Sequence, residues 1–262
     1  MTTLDEILQQ HFLRPGQLSL VTSVLGACAS WYEHALISKI LSTGDVVIHI
    51  SFMHQATFHN DCMRKLGIDL AQYSQKEKYF FVDGFTGLFF QPTGQRCSRG
   101  CPVVRPSLQG LSDDVNALIE EVLSALEEGS KAYLVIESPD LLLAAGGYSS
   151  LVLLNELLDW HDRVYSTTVM IHADSALVSQ TRSRFETESA SFATSLAHEA
   201  SILTSLRMLD TGLARDISGV LRITKRPEIS AVVSEHGWND KEVLYFVNDG
   251  SVDVFSRGEM RA

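Results

Sequence analysis

Apolar residues in this chain fall into two alternating patterns, short unbroken runs and runs spaced by three and four. The unbroken runs are Leu18-Ser-Leu-Val-Thr-Ser23, Val46-Val-Ile-His-Ile50, Tyr79-Phe-Phe-Val82, Lys131-Ala-Tyr-Leu-Val-Ile136 and residues 167–171. Runs of this length and composition predict strands buried on both faces of a sheet. The spaced runs predict helices. Thr3-Leu-Asp-Glu6 is a capping box that opens a short helix to Phe12. Residues 29–41 form the next helix, and residues 57–66 a third that stops at Gly67. Ser112 caps a helix to Glu128 with Val115, Leu118, Ile119, Val122, Leu123 and Leu126 on one face, and residues 149–165 form another. Alternation of this kind predicts an α/β fold, a mainly parallel central sheet flanked by helices. Past residue 200 the pattern changes. Residues 202–209 and 220–224 read as strands, and 242–247 with 252–255 as a hairpin around Asn248-Asp-Gly-Ser251, so antiparallel strands extend one edge toward the C-terminus.

Two stretches break the rhythm. Residues 91–110 hold three of the six prolines with three glycines and three arginines, and read as a mobile insertion or long loop. Residues 173–197 are polar and serine-rich with weak periodicity, and read as a flexible segment. The expected organisation is one domain over residues 1–262, entered through a helix and turn at 1–16.

The first strand and the first long helix have the outline of a nucleotide-binding unit. Such a unit joins them by a G-x-x-x-x-G-K-[ST] loop, whose backbone N–H groups cradle phosphates while the lysine neutralises them. Here the connection is Val24-Leu-Gly-Ala-Cys28, with a single glycine. With Gly26 as the first motif glycine, Trp31, Tyr32 and Glu33 stand where Gly, Lys and Ser/Thr belong. With Gly26 as the second, Ala27 and Cys28 stand at the last two positions. Neither register supplies the lysine, and a glutamate there repels phosphate. The order of elements is that of an ATPase; the chemistry is not.

A formal net charge of −11 argues against broad, autonomous binding to nucleic acid or to an anionic membrane, and leaves room for a local basic loop. No apolar stretch reaches the roughly 18 residues of a membrane span. Asp5 and Glu6 precede any apolar run, which is unlike a signal peptide. Cys28, Cys62, Cys97 and Cys101 are too few and too scattered for a disulfide scaffold, so a reduced intracellular compartment is expected. Cys97-x-x-x-Cys101 is at most half a metal site, and Cys28 and Cys62 fit small core positions.

The remaining candidates for chemistry are weak singly. Glu137 ends an apolar strand where a nucleotide hydrolase keeps the acid that holds Mg²⁺ through water. Without a phosphate loop it reads first as a solvated or interface-paired carboxylate. His49, His54 and His59 recur every five residues, but they fall in a strand, a loop and a helix, need not converge, and have no adjacent Cys pair to complete a zinc set. Asp83 and Glu137 could pair as carboxylates, although acids at sheet ends are common. Ser23, Ser51 and Ser138 end strands without a G-x-S-x-G elbow or an evident histidine partner. No catalytic residue, cofactor or metal follows from these. Arg182 and Arg184, in Gln180-Thr-Arg-Ser-Arg-Phe185, flank a serine beside an aromatic and suit phosphate contacts plus stacking on a single-stranded or looped nucleic acid. Glu186, Glu188 and Glu199 dilute the local charge.

Taken in order, several segments resemble one family, the sixth subunit of Elongator, the complex that modifies wobble uridines in tRNA. They are Leu18-Ser-Leu-Val-Thr, Phe52-Met-His-Gln-Ala-Thr-Phe, Arg64-Lys-Leu-Gly-Ile, Phe81-Val-Asp-Gly-Phe, Leu134-Val-Ile-Glu-Ser-Pro-Asp-Leu-Leu-Leu and Asp216-Ile-Ser-Gly-Val-Leu-Arg-Ile. The resemblance implies a RecA-like fold without Walker motifs, and a non-catalytic subunit in a heterohexameric ring with the fourth and fifth subunits, two copies of each. It further implies tRNA and the Elongator catalytic subcomplex as partners, no membrane, no cofactor, and a cytoplasmic location with the nucleus as a second. In such rings the loops after the fourth and fifth strands face the pore; here they are Ala144-Ala-Gly-Gly147 and residues 173–197, which makes Arg182 and Arg184 the expected tRNA contacts. Two other readings stay open: a diverged nucleotide hydrolase using Glu137, and a homo-oligomeric RecA-like binding module.

Overall fold

The unbroken apolar runs become parallel strands of one sheet in a computed structural model, which describes residues 4–11, 14–89, 108–145, 147–179, 182–212, 214–226 and 241–257. The elements are α1 (Leu4–His11), β1 (Gln17–Ser23), α2 (Ser30–Ser42), β2 (Val46–Ser51), α3 (Ala56–Lys65), α4 (Leu70–Gln75), β3 (Tyr79–Asp83), α5 (Gly84–Phe89), α6 (Leu108–Ser124) and β4 (Ala132–Glu137). There follow α7 (Leu141–Ala145), α8 (Ser150–Arg163), β5 (Ser166–His172), α9 (Ser175–Val178), α10 (Arg184–Glu199), β6 (Ile202–Arg207), β7 (Gly219–Lys225), β8 (Lys241–Asn248) and β9 (Ser251–Phe255). The strands lie in the order β3-β2-β4-β5-β1-β6-β7-β8-β9. Pairing is parallel from β3 to β6 and antiparallel from β6 to β9. The expected α/β class with a C-terminal antiparallel extension is what forms.

β2 and β4 are buried along their whole length, because crossover helices cover both faces of a parallel sheet. On one face Leu18, Leu20, Ile48, Ile50, Leu134 and Ile136 pack against α6, α8 and α10 through Val115, Ile119, Leu153, Trp160, Phe192 and Leu196. On the other, Val21, Val47, Phe81 and Val135 pack against α1, α2 and α3 through Ile7, Leu36, Ile37, Ile40 and Met63, and Leu206, Leu221, Val243 and Tyr245 of β6 to β8 join the same cluster. The chain leaves β1 through α2 toward β2, and leaves β5 through α10 toward β6, in opposite directions and over opposite faces. Open α/β sheets usually bind ligands at such a reversal, beside the carboxyl ends of the strands.

Several local expectations are corrected. α6 begins at Leu108 rather than at Ser112, whose hydroxyl donates instead to Glu156 Oε2 of α8 at 2.6 Å. Otherwise residues 91–107 lie outside the described residues, with Cys97 and Cys101. Residues 173–197, read as a flexible segment, are mostly helix: Ser183 and Glu186 form a reciprocal capping box that starts α10, and Ser189, Phe192 and Leu196 bury its inner face. Of Ala144-Ala-Gly-Gly147, read as a loop, Ala144 and Ala145 end α7. The short helices α4 and α5 have no counterpart in the sequence reading. Cys28 is exposed rather than in the core, and Cys62 is half-buried. No helix among the described residues is long and apolar enough to cross a membrane.

Candidate functional site

The turn after β1, where a phosphate loop would lie, closes on itself. The Ala27 N–H donates to the Val24 carbonyl at 2.9 Å, and Gly26 at the tip has φ +90°. A Cβ on Gly26 would stand 2.6 Å from Met208 Sδ. The Leu25 N–H, the kind of donor a phosphate would take, is held by Asp174 Oδ1 at 2.9 Å. Tyr32 and Glu33, at the lysine and hydroxyl positions of one register, are completely buried.

Glu33 enters a polar cluster one strand pair away. Parallel register sets Ser51 of β2 directly beside Glu137 of β4, and His49 faces the same side of β2 two residues earlier. α3 lays His59 over these strand ends, the β2–α3 loop supplies His54, and α2 supplies Glu33 and His34. Glu33 Oε1 lies 2.6 Å from His49 Nε2, and His49 Nδ1 lies 2.7 Å from the Tyr79 hydroxyl, with Glu33 and His49 fully buried. His34 Nε2 is 3.1 Å from His59 Nδ1. Glu137 receives the Ser51 hydroxyl on Oε2 and meets His54 Nδ1 at 2.8 Å on Oε1. The Ser51 oxygen in turn accepts the His54 N–H at 3.0 Å. His54 stacks flat on Phe58, ring centroids 3.8 Å apart at 13°.

Burial sets the protonation of this cluster. It pushes the His49 imidazole down to about 4, and, with the nearby His59 and His49, the His34 imidazole down to about 3. It lowers His59 as well, aided by His49. Burial and the neighbouring Glu137 charge hold the Glu33 carboxyl well above its usual range. Burial pushes Glu137 upward too, but the facing imidazoles of His54 and His59 and the Ser51 hydroxyl outweigh it and keep the carboxylate ionised. The hydrogen bond to Glu137 raises His54 in spite of its partial burial.

Glu137 therefore sits as expected at its strand end, yet its two oxygens are already engaged. Asp83 does not pair with it; both Asp83 oxygens cap α5 through the Thr86 N–H and hydroxyl, each at 2.7 Å. The histidines read as unrelated do converge, which corrects that expectation. Strand, loop and helix meet here because β2 runs straight into α3. The sequence reading placed Glu33 only as a misfit in a phosphate loop, and His34 escaped it altogether. The available signal was their place on the buried side of α2 among Tyr32, Leu36, Ile37 and Ile40. Arg182 and Arg184 lie apart from the cluster, exposed at the start of α10, where Glu186 accepts the Arg182 and Ser183 N–H groups at 2.8 Å each.

The fold has solved counterparts. An uncharacterised Pyrococcus horikoshii protein, solved in complex with an unknown peptide, superposes with a TM-score of 0.65 at 12% identity, covering 97% of this chain and 98% of that one. A KaiC-like protein of Pyrococcus horikoshii OT3 gives 0.56 at 17% identity, covering 92% and 90%. These likenesses establish a RecA-like fold. In sequence, the chain is 24% identical over 248 residues to the Elongator complex protein 6 homolog of Schizosaccharomyces pombe, across 94% of this chain and 93% of that one. The family model for Elongation complex protein 6 matches residues 2–249, and the chain belongs to that family.

Proposed function

We propose that the chain is a non-catalytic subunit of Elongator, one RecA-like domain that assembles with the fourth and fifth subunits into a heterohexameric ring and supports wobble-uridine modification by helping that ring hold tRNA, in the cytoplasm and also in the nucleus. Family membership supports the complex. The observation that carries the non-catalytic part is the β1–α2 turn: its Leu25 amide is taken by Asp174, its tip is packed against Met208, and residues 24–30 contain no lysine. A nucleotide hydrolase built on Glu137 is disfavoured because neither register of the β1–α2 connection supplies a phosphate-loop lysine. Arg182 and Arg184 remain the proposed tRNA contacts. Since Glu186 already satisfies the backbone donors there, the guanidinium groups are what phosphate would meet. Several weak contacts presented together gain by effective concentration, which offsets the acidic net charge of each chain.

The test is co-expression with and without the fourth and fifth subunits, followed by sizing and tRNA titration. The expected result is a ring only in company, no Mg-ATP binding by the chain alone, and a ring carrying Arg182→Ala with Arg184→Ala that binds tRNA more weakly with a shallower dependence of log affinity on log salt. A monomer that ignores both subunits overturns the assembly, and unchanged tRNA affinity in an intact variant ring overturns the arginine assignment.

A further inference from the structure

The histidine cluster leaves two buried polar atoms without a hydrogen-bond partner, Glu33 Oε2 and His59 Nε2. His59 is completely buried, and its Nε2 has no hydrogen-bond partner although it lies 3.4 Å from Glu137 Oε2. Ligands about 2.1 Å from a tetrahedral zinc ion stand about 3.4 Å from one another. His54, whose Nδ1 meets Glu137 Oε1 at 2.8 Å, completes a triangle: one ligand atom from each of His54, His59 and Glu137 lies within 4.8 Å of the other two. We infer that His54, His59 and Glu137 bind a divalent cation of the zinc class, with the fourth coordination position open on the His54 side.

The surroundings are those such a site needs. A ligating imidazole is normally fixed by a partner on its other nitrogen, and a ligating carboxylate by a donor of its own. His34 Nε2 meets His59 Nδ1 at 3.1 Å, and Ser51 donates to Glu137. Phe58 holds the His54 ring flat. The His54 side chain is 26% exposed, so an ion has a way in and water a place to complete the coordination. Two imidazoles and one carboxylate favour zinc over magnesium or calcium, which take oxygen ligands. Glu33, His49 and His59 make a second geometric triad, but it is closed. Its members are all completely buried and both His49 nitrogens are hydrogen-bonded, whereas at the first triad only the His54 Nδ1 bond to Glu137 has to give way to the ion. A cation at the open triad ties α3 and the β2–α3 loop to the end of β4.

The full chain, freed of metal by a chelator, is titrated with Zn²⁺ by calorimetry and with Co²⁺ by visible absorption. One ion per chain and a tetrahedral Co²⁺ spectrum are expected. Both should be lost in His54→Ala and Glu137→Gln, weakened about tenfold or more in Ser51→Ala, and kept in His198→Ala, an exposed histidine on α10. No saturable Zn²⁺ site in the unaltered chain, a site that survives both ligand substitutions, or one lost equally in His198→Ala overturns the assignment. Should the Glu137 variant not fold, His54→Ala decides, and Zn²⁺-dependent shifts of the His54 and His59 imidazole resonances in the unaltered chain decide without any variant.

Discussion

The end of β1 and the ends of β2 and β4 open on the same edge of one sheet and hold opposite chemistry. At β1 the turn is stitched by its own backbone, packed against a methionine and held by one surface aspartate. At β2 and β4, four histidines and two glutamates share the ends of two strands, most of them out of reach of water. The difference is made by α2, which serves both places. Its N-cap, Ala29, offers no side-chain cap toward β1, while Glu33 and His34 turn inward to the second site. The titratable groups of this sheet edge are thus carried one strand pair away from the β1–α2 turn.

The contrast breaks most visibly if the buried cluster tolerates a missing member. Glu33→Ala leaves His49 Nε2 without a partner in a dry site, and should cost about 3 kcal/mol of stability, read as a lower urea midpoint with an unchanged slope. Glu33→Gln, which keeps a donor of similar shape, should cost about 1 kcal/mol. An alanine variant as stable as the parent would make the cluster incidental to the fold. At the other site Gly26→Ala should cost about 2 kcal/mol, since φ +90° is unfavourable for any side chain and the new methyl meets Met208. Adding Met208→Ala should recover only the steric share. A neutral Gly26→Ala would show that the turn is free to reopen.

The smallest effect lies between the two sites. His172 ends β5, the strand that separates β1 from β4, and its hydrogen bond to Asp140 at 3.2 Å raises its pKa despite burial. A raised histidine contributes stability that is fully present below its unfolded value, about 6.5, and is lost as pH rises through the folded value. Because the pair is partly solvated the contribution should stay below about 1 kcal/mol. In Asp140→Asn the imidazole titration followed by NMR should move down, and the pH dependence of melting should flatten above about pH 6.5. An unmoved His172 titration would remove Asp140 as the cause.

Most of the sheet was legible because strands covered on both faces need nearly every residue apolar, and few local structures besides a doubly covered strand accept such a run. α10 was not, because its buried face reads Ser189, Phe192, Leu196, and a serine at the first position hides the helical spacing. The Ser183-x-x-Glu186 box was present in the sequence and was the better guide. The cluster stayed hidden for a different reason. Each of its residues looks ordinary on its own element, and only the parallel register of β2 with β4, which no local pattern encodes, sets Ser51 beside Glu137. Polar residues on the buried sides of two neighbouring elements, Glu33 on α2 and His49 on β2, were the signal that they answer one another.

The place of β1 also governs how the chain is made. It precedes the other described strands in the chain, yet its two neighbours are β5 and β6, so Gln17 waits for Ser166 and Ser19 for Ile202. At about 5–20 residues per second that wait is on the order of ten seconds, with Leu18, Leu20 and Val21 unable to reach their final partners. The centre of the sheet closes only when most of the chain has left the ribosome. A messenger truncated before residue 166 yields a product whose β1 lacks both of its strand neighbours.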